Sequence, residues 1–160
     1  MKRLNIIIVL TIIALVFAFF ILKRKEKKVE IVVEKSSVES SFTGQSEALT
    51  KLLEYKTQAH WLHLLTKSYA QHKSLQEFYE KIDELADRFI ETYFGKYGRQ
   101  EITSTPKTSV LMRPEELIDQ VYTHTFALEK IVDVKDTDLH NIIADIRELC
   151  NRTKYLLTLN

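Results

Sequence analysis

The chain has few of the residues that interrupt helices and almost none of the residue that forms disulfides. Its 160 residues include three glycines, two prolines and one cysteine, Cys150. A multi-strand sandwich needs a turn about every 8 to 12 residues, so this shortage of glycine and proline argues against one. A single cysteine excludes a disulfide framework and any metal centre built from cysteines. The composition therefore predicts one mainly helical domain.

The chain also lacks an overall excess of charge of one sign. It has 23 basic and 22 acidic residues, but residues 1–28 hold seven basic side chains and one acid. That segment carries +6, which leaves a net charge of −5 on residues 29–160. A mildly acidic domain is a poor match for a phosphate backbone, so no nucleic-acid partner is expected.

Motifs of the common hydrolases and phosphotransferases are absent. The sequence contains no G-x-x-x-x-G-K, G-x-S-x-G or H-E-x-x-H. Phosphoryl transfer, serine hydrolysis and zinc proteolysis therefore have no support from motifs.

One long hydrophobic run lies near the N-terminus. Ile6 to Leu22 has Thr11 as its only polar member, and Lys23-Arg24-Lys25 follows directly. Seventeen residues are at the short end of what a helix needs to cross a bilayer, and the cations resemble a stop-transfer border. We predict that residues 1–28 are an uncleaved transmembrane anchor with basic flanks. A cleaved signal peptide and a buried core helix are the alternatives.

The positive charges predict the orientation of this single-pass membrane protein. More cations follow the span than precede it, so the positive-inside rule places the C-terminal domain on the cytoplasmic side. Residues 29–44 are predicted to be a linker, since Val29–Val33 has no partner strand and the serines that follow suit a solvated tether ending at Gly44. Residues 45–160 form the predicted domain.

Four helices are predicted within that domain. The first runs from about Ser46 to Tyr69, and the polar stretch Gln71–Ser74 is interpreted as a bend before the second, which ends with Gly95 and Gly98 as C-cap glycines. Pro114 begins the third helix, and Asp136-Thr137-Asp138 caps the fourth. The predicted core positions follow helical spacing. They are Leu75, Phe78, Ile82, Leu85, Ala86, Phe89 and Tyr93 in the second helix, Leu117, Val121, Leu128 and Ile131 in the third, and Leu139, Ile142, Ile143, Ile146, Leu149, Cys150 and Leu157 in the fourth.

These helices predict an all-α fold, a four-helix bundle preceded by a single transmembrane helix. The connection between the second and third helices is long enough to cross the length of the bundle. That length favours the ferritin-like topology, and a simple up-down-up-down order is the alternative.

Histidines and carboxylates form the candidate site. His60 and His63 are predicted to face inward with Leu49, Leu52 and Leu53, while His72, Asp83 and Asp87 line one border of the second helix's core face. Imidazole and carboxylate together suit a cation such as iron. The alternatives are that the two histidines are satisfied core residues and that the aspartates form a solvated helix edge.

These residues carry two resemblances. His60-Trp61, His72, Phe78 and Asp83-x-x-x-Asp87-Arg88 are similar to the Dps branch of the ferritin superfamily over the first two helices. The stretches His63–Lys73, Phe78-Tyr79 and Tyr93–Gly98 more closely resemble a family of uncharacterised helical proteins from phages and large DNA viruses, over roughly residues 45–160.

The Dps resemblance implies an iron site shared between two chains. It assigns His60, His72, Asp83 and Asp87 as ligands at a two-fold axis, with His63 as a substitute ligand. The sequence departs from the Dps pattern in three ways. The spacing from the second histidine to the first carboxylate is four residues shorter than in Dps. Gln76 stands where Dps has an acidic residue, and Asp87 stands where glutamate is usual. An intrabundle di-iron site needs Glu-x-x-His, which His124 and His140 lack.

Two functions follow as hypotheses. The first is a membrane-anchored, Dps-like protein that binds or oxidises iron, as a weak ferroxidase. The second is a non-catalytic structural or interaction module tethered to a host or virion membrane. Anchors on every subunit could not all enter one bilayer from a closed shell, so a homodimer or a monomer is predicted.

An aromatic group is a further candidate feature. Tyr93, Phe94, Tyr97 and Trp61 could line a groove for a cofactor or partner, or they could pack in the core and at a helix end.

Overall fold

A computed structural model of the chain describes residues 19–25, 44–99, 101–102 and 112–159. The chain divides into two compact units, Met1–Phe42 and Thr43–Asn160. In the first unit, residues 19–25 are helical and exposed. None of the helices within the described ranges has the length and hydropathy that crossing a membrane requires. Most of the predicted span, Ile6–Leu22, and all of the predicted linker except Gly44 lie outside the described residues.

The second unit is all-α, as the composition predicts, and its described part contains four helices packed as a bundle. They are α1 (residues 44–65), α2 (Tyr69–Tyr97), α3 (Pro114–Lys130) and α4 (Thr137–Leu157).

The turn between α1 and α2 lies earlier than predicted. α1 ends at residue 65 rather than 69, and α2 begins at Tyr69 rather than after Ser74. Ser68 caps α2, because its hydroxyl accepts the backbone N–H of Gln71 at 3.3 Å. A serine cap satisfies one of the free N–H groups of a helix start, so the polar residues that follow it belong to the first turns of α2.

The other helix ends agree better with the sequence. Pro114 is the first residue of α3, and Glu116 accepts the backbone N–H of Arg113 at 3.1 Å. Asp136 immediately precedes α4. Gly98 is the C-cap of α2 with a φ of 82°, but Gly95 lies inside the helix, so its predicted capping role is wrong.

Contacts between helices fix the order of the bundle. Ion pairs join Arg88 to Asp145 and Glu77 to Arg152, so α2 and α4 run antiparallel. The short turns make α1 and α2 antiparallel, and also α3 and α4. α1 and α3 are neighbours, since the ring of His124 donates to the carbonyl of Ala48 at 2.9 Å.

The resulting chain order is up, down, down, up. α2 and α3 are parallel, so the end of α2 and the start of α3 lie at opposite ends of the bundle. Tyr97 at the end of α2 bonds to Asp133, next to the end of α3, and α3 is about 25 Å long. Most residues of the connection lie outside the described ones, so the crossing that its length predicts stays a prediction.

The core matches most of the predicted positions. All seven predicted residues of α4 are buried, and so are those of α2 and α3 except Leu85 and Ile131, which are half-buried and pack against the core. α1 contributes a stripe at alternating spacings of four and three residues. It consists of Ala48, Leu52, Tyr55, Ala59 and Leu62.

Candidate functional site

The histidines of α1 and α2 meet across the turn. His63 is buried and its Nδ1 lies 2.9 Å from the carbonyl oxygen of His72, while the Nδ1 of His72 lies 3.1 Å from the carbonyl oxygen of His63. The two imidazole rings stack with centroids 3.8 Å apart. Their rings and backbones therefore hold each other in a reciprocal pair.

This pairing selects the tautomer of both rings. A carbonyl oxygen only accepts a hydrogen bond, so each Nδ1 must carry a hydrogen. In the neutral rings Nε2 then keeps its lone pair. Histidines that bind metals commonly donate their other ring N–H to a carbonyl in this way, which orients the ring.

His60 is exposed, which corrects the prediction that it faces inward. Its ring stacks on Tyr79 of α2 at 4.5 Å, and its centroid lies 6.0 Å from that of His63. The predicted inward position of Leu53 is also wrong, since 44% of that side chain is exposed. α1 has more apolar residues than one helix face can bury, and contacts with the other helices determine which of them are buried.

The aspartates of the predicted site lie away from the histidines. Asp83 forms an ion pair with Lys56 of α1 at 2.5 Å, and Asp87 is exposed. His72 and Asp83 are eleven residues apart on one helix, which is about 16 Å. Within the described part of the chain no three His, Cys, Asp or Glu side chains lie together as a metal site would require. In the described part of one chain the rings of His60 and His72 therefore both lie near that of His63, but the three do not form a metal-binding group with each other or with the two carboxylates.

The remaining histidines are tied to backbone carbonyls. His124 binds Ala48, and burial lowers the pKa of its ring below the ordinary 6.5. It also lies edge-to-face against Tyr55, 5.5 Å between centroids, beside a cleft that is about 460 Å³ in volume. Burial raises the pKa of Tyr55, so both groups stay neutral near pH 7. His140 bonds to the carbonyl of Asp133 at 3.2 Å.

Of the two alternatives for the aromatic residues, the structure favours packing in the core and at a helix end over a shared groove. Tyr93 is buried in the core and contacts Tyr97 at 4.6 Å between ring centroids. Trp61 lies near the end of α1, while Tyr93 and Tyr97 are near the end of α2. Because α1 and α2 are antiparallel, these residues belong to opposite ends of the helix pair.

A surface that the sequence reasoning missed lies on α1. The outer α1 surface comprises the exposed residues of α1 from position 53 onward: Leu53, Thr57, His60, Trp61, Leu64 and Leu65. Leu64 and Leu65 are 58% and 62% exposed, and Tyr69, just beyond the turn, is 78% exposed. No charged residue occurs between Thr57 and Thr66. A helix face of this kind resembles the centre of a protein interface, where charge is depleted and aromatic residues are enriched.

A signal for this surface is present in the sequence. Leu53, Thr57, His60 and Leu64 follow one another at intervals of four, three and four residues. The buried stripe of α1 has the same spacing on another side of the helix. Two such stripes on one helix indicate two packing faces.

Comparison with known proteins places the chain in a family. A family model described as "Family of unknown function (DUF5856)" matches residues 63–157, which run from the end of α1 through α4. The chain belongs to this family. A relative, the "Uncharacterized 14.6 kDa protein in mobD-ri intergenic region" of Enterobacteria phage T4, is 31% identical over 114 residues, which cover 71% of this chain and 87% of the relative. No solved structure matches the chain.

These matches confirm the resemblance to a helical family that includes phage proteins. The DUF5856 match contains His63, His72, Asp83 and Asp87 but begins after His60. Neither match is to a ferritin-like protein, so the Dps resemblance stays a hypothesis.

Proposed function

We propose that this DUF5856 protein is a non-catalytic, membrane-tethered helical module of a phage or virus that binds a partner through the outer α1 surface. The observation that carries the proposal is the uncharged, exposed apolar face of α1. Contiguous apolar patches of more than a few hundred Å² are uncommon on monomeric proteins and mark interaction sites.

The state of the polar groups supports a binding role rather than catalysis. Asp83, Arg88 and Glu129 are each engaged in an ion pair between two helices. Cys150 is buried, and burial raises the pKa of its thiol to about 12, which keeps the nucleophilic thiolate scarce. These groups hold the bundle together.

The tether in this proposal is the apolar run Ile6–Leu22 with its basic border. The positive-inside rule then places the bundle on the cytoplasmic side of a host or virion membrane. The full chain is expected to remain in the membrane fraction after a carbonate wash. A soluble mature chain that begins after residue 22 would contradict the tether and identify a cleaved signal.

Binding through the outer α1 surface is tested by photo-crosslinking in cells that express the full chain. A photoreactive amino acid replaces Leu64 on this surface or, as a control, Val134, which is 82% exposed in the turn between α3 and α4. We expect a discrete adduct from position 64 and none from position 134. Equal adducts from both positions, or none from position 64, would contradict the proposal.

Iron binding is the second candidate function. Two observations favour it: the fixed Nε2 lone pairs of His63 and His72, and a helix order shared with ferritin-like bundles. Imidazole nitrogens suit iron, zinc and copper, but iron sites with a ferroxidase role also use carboxylates. The carboxylates of Asp83 and Asp87 do not form a metal-binding group with the histidines of the same chain. The carboxylate of Asp83 forms an ion pair with Lys56 instead. The residues therefore fit a complete iron site only if a second chain supplies the carboxylates.

Metal binding is tested with the full chain in detergent. Fe(II) is added stoichiometrically, bound metal is measured after desalting, and oxidation under air or peroxide is followed by absorbance. Binding that is lost in His72→Ala/Asp83→Ala and kept in His140→Ala would support the site. Equal binding in the two variants, or no binding by the unmodified chain, would contradict it.

A further inference from the structure

We propose that the partner of the outer α1 surface is a second copy of this chain, packed antiparallel against α1 about a two-fold axis. This inference rests on the proposed function, because it names the partner of the same surface. The first argument is the spacing of Leu53, Thr57, His60 and Leu64, which is the four-three repeat of helices that pack side by side.

The second argument is self-complementarity. In an antiparallel pair centred between residues 58 and 59, Leu53 faces Leu64 of the other copy, and Thr57 faces His60. Apolar side chains then meet apolar ones, and polar side chains meet polar ones. A two-fold interface needs this match, because the same surface is used on both sides.

The charges around the surface are compatible with such a pair. About the two-fold axis the Lys56 residues of both copies lie on one flank of the contact and the Trp61 residues on the other. The ammonium of each Lys56 is already paired with Asp83 of its own chain at 2.5 Å. Glu54 is buried within its own chain. The two-fold axis therefore brings no unpaired like charges together.

The area of this contact sets the expected strength. From the exposed fractions, the outer α1 surfaces of two copies would bury roughly 1,000 Å² together, which is near the lower limit of a specific interface. Pairing should therefore be weak in dilute solution. Two chains tethered in one bilayer meet at a much higher effective concentration, which favours the pair.

Cysteine cross-linking in reconstituted vesicles tests the register. Full chains that carry Leu53→Cys or Leu64→Cys, each with a different tag, are mixed and treated with a mild oxidant. We expect the mixed pair to cross-link at least fivefold more than either variant alone. The unmodified chain supplies the baseline, because its single cysteine, Cys150, is buried.

A matched pair of threonine substitutions provides the control. Thr57→Lys, on the outer α1 surface, adds a cation where the two copies meet and should abolish the cross-link. Thr123→Lys, at an exposed position of α3, should leave it unchanged. Circular dichroism establishes that both variants are folded.

The outcomes separate this inference from the proposed function. Cross-links no stronger than those of Val134→Cys, or a Leu64→Cys chain that pairs mainly with itself, would overturn the antiparallel pair. If the photo-adduct at position 64 then has the mass of the chain plus another protein or a lipid, binding through the surface stands and self-pairing is wrong. If no photo-adduct forms, both are wrong.

Discussion

At the scale of single residues, several side chains in this bundle link helices by donating to a backbone carbonyl. His63 and His72 join α1 to α2 in this way, and His124 joins α3 to α1. A carbonyl can be reached only if two helices already lie side by side. The sequence shows the histidines, but their acceptors depend on the packing.

His124 should make the stability of the bundle depend on pH. Burial lowers the pKa of its ring in the folded chain below the ordinary 6.5, whereas the unfolded chain protonates near that value. As the pH falls through 6.5, the unfolded state binds more protons, so the free energy of unfolding decreases until the folded ring is protonated too. Urea unfolding at pH 7.5 and pH 5.5 measures this decrease. His124→Gln should show a smaller decrease, and an equal one would contradict the assignment.

Cys150 should report unfolding. Its side chain is fully buried, and burial raises the pKa of the thiol to about 12. We expect a thiol reagent at pH 8 to label the native chain very slowly and to label it completely in concentrated urea. Rapid stoichiometric labelling of the native chain would mean that α4 does not pack as described.

At the scale of the elements, the two glycines of α2 have opposite roles. Gly98 ends the helix with φ 82° and ψ 160°, a region that side chains strongly disfavour, whereas Gly95 is helical and exposed with free space around it. Gly98→Ala should lower the free energy of unfolding by about 1–3 kcal/mol. Gly95→Ala should raise it by about 0.5–1 kcal/mol. Urea denaturation measures both, and changes of the same sign would contradict this distinction.

The ends of the helices show what local sequence signals can specify. Pro114 and Gly98 mark helix boundaries through backbone preferences that act within a few residues. The start of α4 at Asp136 was also predicted, although the carboxylate of Asp136 bonds to Lys96 and Tyr97 of α2 rather than capping the helix. The turn between α1 and α2 was misplaced because two polar stretches compete there. Ser68 prevails because its hydroxyl reaches a free N–H group, while the side chain of Gln71 accepts a bond from Thr66.

At the scale of the whole molecule, the order of the helices depends on the length of the connection between α2 and α3. The connection must cover about 25 Å, which requires at least seven or eight extended residues. Replacement of residues 101–111 by eleven glycines and serines should therefore preserve a cooperative thermal transition. Deletion of the same residues should abolish it, because the five that remain between α2 and α3 cannot span the distance. A deletion variant with an unchanged transition would contradict the parallel arrangement of α2 and α3.

The sequence by itself determined the helical class, most of the core and three of the helix boundaries, because these follow from periodicity and from residues that act on their own backbone. Leu53 and His60 were misassigned because α1 carries two stripes with the same spacing, and periodicity does not say which one the other helices cover. The ion pair of Asp83 with Lys56 of a neighbouring helix likewise does not follow from periodicity. Only the tertiary structure decided these points, because they depend on which residues of different helices become neighbours.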